Sequence, residues 1–211
     1  PAFTGKETLA LLIVAQALDA GMQVAHLCTN RGTDRFVAAL GRIANDLEVR
    51  SAIGNGHLVL VDAYSRQAGE PQDHPGAVYM DSPDDVDSIM AVLQGAETGL
   101  APFVLLVDSL SPILTFCDPR QSLRAVQRMT GLCRRSKGLG LFLIDQGMHE
   151  DSVVRGIEHM MDGTVEFRTQ EGRSVLRVKG FGTVRTRSWV QYSATKSEFG
   201  IEGSFSLQKV T

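Results

Sequence analysis

Two apolar stretches, FVLLVD at 103–108 and LGLFLID at 139–145, constrain this chain most, because a helix-spaced segment lies between them. Neither stretch alternates polar with apolar residues, so each suits a strand covered on both faces. The same alternation runs through the first three quarters of the chain. Residues 7–20 read as a helix stopped by Gly21, 22–28 (MQVAHLC) as a strand, 33–47 as a helix and 57–63 as a strand. Helices are expected over 84–96 and 119–136, with a short one near 152–160. The stretch 64–83, rich in Gly, Pro, Asp, Gln and Ser, reads as a long loop. Strands that alternate with helices require crossovers, hence a mostly parallel sheet with helices on both faces. After Asp162 the period changes: GTVEFR, SVLRVKG and VRTRSWVQY alternate at two residues, which predicts an antiparallel C-terminal extension. With no internal repeat and no low-complexity segment, residues 1–211 read as a single α/β domain.

Charge and composition remove several functional classes. A formal net charge of -3 argues against a chain that is basic throughout and binds nucleic acid by bulk charge. No apolar run reaches the roughly 20 residues of a membrane helix, and the start does not resemble a signal peptide, so no membrane insertion and a cytoplasmic location are expected. Cys28, Cys117 and Cys133 have unrelated spacings and read as reduced, space-filling thiols. His57, His74, His149 and His159 are scattered without ligand spacing and read as structural.

The opening PAFTGKETLALL looks like the tail of a phosphate-binding loop, G-x-x-x-x-G-K-[ST], running into a helix. Successive backbone N–H groups and a helix N-terminus make such a loop an anion nest, and its lysine reaches the β and γ phosphates. Thr4, Gly5 and Lys6 stand in place. Glu7 occupies the position of the Mg²⁺-binding hydroxyl, and Thr8 follows one residue late, rotated about 100° around the helix. A carboxylate there either repels a triphosphate or ligates Mg²⁺ itself. Asp108 ends FVLLVD at the carboxyl edge of a parallel strand, where a metal-holding carboxylate is expected, with Ser109 beside it to orient it.

The order of these landmarks, with LFLIDQ ending in Gln146, resembles the RecA superfamily of ATPases. GIEHMMDGTVEF, VLRVKGFGT and SEFGIEG make the tail similar to its KaiC-like branch, and the likeness spans nearly the whole chain. The resemblance implies a three-layer RecA-like core and a site for ATP or ADP with Mg²⁺, the metal held by Asp108 and by Glu7 or Thr8. It implies residues upstream of Pro1, because the family's loop follows a central strand, and without that strand two rows of backbone groups would be unpaired.

Three departures from the family pattern imply weak or absent hydrolysis. Glu7 replaces the hydroxyl ligand. Asn30, with Arg31 beside it, stands where the family's general base is expected, and neither accepts a proton at neutral pH. Phe181 replaces an arginine that would reach a neighbouring subunit's γ-phosphate, although Lys179 is kept. Gln146 is the candidate γ-phosphate sensor. The expectation is a regulatory or structural subunit of a homo- or hetero-oligomer. One alternative is an active ATPase with a Glu7–Mg²⁺ site. The other is a RecA-like scaffold for single-stranded DNA or tRNA, similar to recombinase paralogues or Elongator subunits, using Arg173, Arg177, Lys179, Arg185 and Arg187 with Trp189 and Tyr192.

Overall fold

Alternate side chains of the strand Phe103–Asp108 enter opposite hydrophobic layers: Phe103, Leu105 and Val107 one, Val104 and Leu106 the other. This is the two-faced burial expected of a central parallel strand. The computed structural model describes residues 4–99, 102–180 and 188–202. In chain order the elements are α1 (Lys6–Asp19), β1 (Gln23–Cys28), α2 (Thr33–Gly41), α3 (Asp46–Gly54), β2 (Leu58–Asp62), α4 (Ser65–Ala68) and β3 (Ala77–Tyr79). They continue with α5 (Val86–Ala96), β4 (Phe103–Asp108), α6 (Leu110–Phe116), α7 (Pro119–Arg135), β5 (Leu139–Phe142) and α8 (Asp151–Glu158). The last four are β6 (Thr164–Gln170), β7 (Arg173–Lys179), β8 (Val190–Ala194) and β9 (Phe199–Glu202).

Strands β1–β5 form a parallel sheet in the order β3-β2-β1-β4-β5. Helices α1–α3 pack Leu11, Val14, Phe36, Leu40 and Val49 on one face, while α5–α8 pack Ile89, Leu93, Ile113, Met129 and Ile157 on the other. The architecture is therefore three-layer α/β, as the alternation of segments predicts. The expected antiparallel extension forms a separate four-stranded sheet, β6-β7-β8-β9.

The structure departs from the sequence expectations at short elements. The helix expected over 33–47 ends at Gly41; a new one starts at Asp46, where the Asn45 side chain accepts from Leu47 N at 3.0 Å and caps it. The long loop holds the one-turn α4, nucleated by Asp62, whose carboxylate accepts from the N–H groups of Tyr64 and Ser65 at 2.9 and 2.7 Å. Helix α6 was not expected; Ser109 caps it by accepting from Ser111 N. The tail's expected turn at SEFGIEG carries strand β9, paired with β8. Pro1, Phe181, Arg185 and Arg187 lie outside the described residues. No described helix is long and apolar enough to cross a membrane. All three thiols are buried, and burial pushes Cys133 up to about 11.

His26 on β1 is fully buried, stacked on Phe36 at 3.5 Å, with no hydrogen-bond partner at either ring nitrogen among the described residues. Burial pushes its pKa down to about 3, with Asp62 opposing. The folded state therefore holds His26 neutral, while the unfolded chain takes up a proton below about pH 6.5. Stability should fall as pH drops through the window from about 6.5 towards 3, at up to ~1.4 kcal/mol per pH unit from this group. Urea unfolding of wild type and His26→Leu from pH 7.5 to 4.5 should show this slope in wild type and its loss in the variant.

Candidate functional site

The parallel register delivers polar residues to one edge of the sheet. Cys28 pairs with Asp108 across β1 and β4, so the residues following both strands emerge at the same level. Helix α1 begins at that edge. Its N-cap is Gly5, with φ of 77°, which brings no side chain of its own to the first turn. The N–H groups there carry the helix's partial positive charge. Together these segments line a cleft of about 580 Å³ that includes Thr4 to Thr8, Asn30, Arg31, Asp108, Ser109 and Asp145. The volume suits a small organic ligand.

Lys6 is 7% exposed. Its ammonium donates to the Ile144 carbonyl at 3.1 Å and pairs closely with the Asp145 carboxylate. Asp108 is also buried, and burial lifts its carboxyl above the ordinary range; Arg31 opposes this and Glu7 adds to it. The Arg31 guanidinium stands between the two acids, 3.8 Å from Glu7 and 3.9 Å from Asp108. Asn30 donates to Asp108 at 3.5 Å. Glu7 and Asp108 thus flank a common point now held by a cation. Thr8 is turned away: its hydroxyl donates to the Thr195 carbonyl at 2.9 Å.

Asp145 is the residue that sequence reasoning missed. A chain of short contacts holds it at Lys6: Thr29 Oγ1 donates to Ser109 O at 2.6 Å, Ser109 Oγ accepts from Ser111 N at 3.0 Å, and Ser111 Oγ accepts from Asp145 N at 3.1 Å. Ser109 lies in the cleft, but its hydroxyl caps α6 and does not orient Asp108. The available signal was a carboxylate closing an apolar strand, the same pattern that singled out Asp108.

The hairpin of β8 and β9 lies over the loop. The Tyr192 hydroxyl donates to the Thr4 carbonyl, and Tyr192 stacks on Phe199 at 4.9 Å. A Cβ at Gly5 would stand 2.5 Å from that of Ala194. Of the other expected residues, Tyr192 lines this cleft, while Gln146, Lys179 and Trp189 do not. Gln146 is exposed. Lys179 pairs with Glu166 and approaches Glu158 at 3.9 Å. Trp189 is stacked with Arg168 at 3.7 Å and Arg177 at 4.6 Å, and Arg177 also pairs with Glu166. Tyr192 is buried. Of the described members of the expected aromatic and cationic face, Arg177, Lys179, Trp189 and Tyr192 are engaged within the chain and Arg173 is exposed.

The layered α/β fold is similar to solved structures from an archaeon. The KaiC-like protein PH0186 from the hyperthermophilic archaeon Pyrococcus horikoshii OT3 superposes with a TM-score of 0.70 at 10% identity, over 96% of this chain and 86% of that one. The uncharacterized protein PH0321 from Pyrococcus horikoshii, solved in complex with an unknown peptide, gives 0.69 at 14% identity, over 92% and 85%. The fold is therefore RecA-like. By sequence, residues 10–167 match one family model, and the chain belongs to that family of unknown function, DUF7504. No curated protein matches it.

The packing of the hairpin on the loop gives a two-residue test. Gly5→Ala should lower stability by about 1–3 kcal/mol, combining the positive φ with the clash on Ala194. Adding Ala194→Gly should return the steric part but not the backbone part, read by urea unfolding. A double variant no more stable than Gly5→Ala would contradict the hairpin's position.

Proposed function

We propose that this chain is a nucleotide-responsive subunit of an oligomer that binds ATP or ADP at the α1 loop and hydrolyses it weakly or not at all. The observation that carries this reading is the convergence of buried Lys6, at a helix N-terminus, with buried Asp108 in one cleft. A phosphate chain would lie against the first-turn N–H groups, with Lys6 as its fixed charge.

Mg²⁺ fits the same cleft. It is commonly held by one or two carboxylates plus phosphate oxygens, and Asp108 and Glu7 already flank one cationic group within 4 Å. Once Arg31 moves aside, these two acids would hold the metal, which would neutralise phosphate charge. Thr8 is a poorer ligand, because its hydroxyl faces the hairpin.

Weak hydrolysis is expected because the cleft's carboxylates, Glu7, Asp108 and Asp145, are engaged with Arg31 or Lys6. The positions where the resemblance places a base and a sensor supply neither. Asn30 and Arg31 offer donors and no base, and Gln146 stands outside. Lys179 would have to leave Glu166 before reaching another subunit. Arg31 would instead bind phosphate as a second cation, which suits retention over turnover.

Calorimetric titration with ATP and ADP, with and without Mg²⁺, tests the reading. Wild type should bind with a dissociation constant between micromolar and millimolar. Lys6→Ala should weaken binding by about tenfold or more, the loss expected for a charge-assisted phosphate contact. No binding by wild type at millimolar nucleotide would overturn the proposal.

A further inference from the structure

The lysine that the proposed phosphate site depends on is not waiting for a ligand. Lys6 sits in a buried pair with Asp145, Arg31 stands 3.8 and 3.9 Å from Glu7 and Asp108, and Lys196 also lines the cleft, so its charges are balanced. Such a cleft has little net attraction for a free polyanion. We infer that Asp145 is a built-in competitor, a carboxylate that occupies the phosphate's place on Lys6 and sets which anions can displace it. This inference rests on the nucleotide-binding reading above.

The geometry permits an exchange without refolding. Asp145 is anchored through its backbone N–H to Ser111 Oγ at 3.1 Å, and Lys6 keeps a separate bond to the Ile144 carbonyl. To free the Lys6 ammonium only the Asp145 side chain must turn, and it is about 25% exposed, so water can receive it as it leaves. Room for the whole ligand asks Arg31 and the β8–β9 hairpin to shift as well. Lys6, at 8%, stays where it is. The displaced carboxylate then lies beside the incoming phosphate. Ligands that bring a divalent cation, or that carry enough charge to outcompete a carboxylate, are favoured over weakly charged anions.

Asp145→Asn keeps the shape and an acceptor for Lys6 while removing the competing charge. The test measures binding of MgATP, magnesium tripolyphosphate and adenosine to wild type and to this variant, with thermal melting as a control. The expected result is tighter binding of both phosphates by about tenfold, the scale of a charge-assisted contact, with adenosine unchanged. If wild type binds phosphates and the variant binds them no better, Asp145 is not a competitor, while the nucleotide reading stands. An equal gain for adenosine would also overturn the inference, since that marks a structural opening of the cleft. If neither protein binds either phosphate, both the inference and the reading beneath it fail. Should Asp145→Asn melt early, Asp145→Ser is read by the same outcomes.

Discussion

The parallel pairing of β1 with β4 is the constraint from which the rest of this structure follows. Six consecutive residue pairs, from Gln23–Phe103 to Cys28–Asp108, run in register through the centre of the sheet, and all twelve residues are buried. Both strands are covered on both sides, so their ends must lie at one level, and the chain beyond them can only emerge there. That brings Thr29, Asn30 and Arg31 against Asp108 and Ser109. It also sets the height of β5, whose Phe142 pairs with Val107, so that Ile144 and Asp145 reach α1.

At this edge, charge is balanced locally, and the consequence is chemical. Isolated buried ions would be costly, so each is met by an opposite partner: Lys6 by Asp145, and Asp108 by Arg31. The cleft thus has the parts of an anion site arranged to be stable without an anion. The β8–β9 hairpin adds a lid of aromatic packing, with Tyr192 tied to Thr4 and Thr195 to Thr8. On the proposed reading, a phosphate ligand would exchange with contacts the chain makes to itself, which would favour a switch between two states over rapid turnover.

Of the two long apolar segments, one was legible in the sequence to the residue; the other, LGLFLID at 139–145, forms a strand only over Leu139–Phe142 and is exposed to half-buried there, not covered on both faces. FVLLVD was read over 103–108 and forms Phe103–Asp108, since burial on both faces leaves no other assignment. Elements set by a single cap were not legible. Asn45 starts α3 through one side-chain bond, and α6 depends on Ser109; neither leaves a periodic trace. The loop lysine and the strand-end Asp108 were readable because each belongs to a local pattern. The Lys6–Asp145 pair spans 139 residues of chain and exists only because β5 ends beside α1. Attention to Gln146 missed its neighbour for that reason.

We propose that the head of α1 is an anion site closed by the chain itself. Amide hydrogen exchange, followed with and without millimolar MgATP, tests it most directly. The account predicts slower exchange at residues 4–9, where phosphate would cover the N–H groups, together with faster exchange at 190–202 as the hairpin gives way. Unchanged exchange at both segments, or protection confined to the smaller cleft around Gly32, Ser65 and Tyr79, would contradict it.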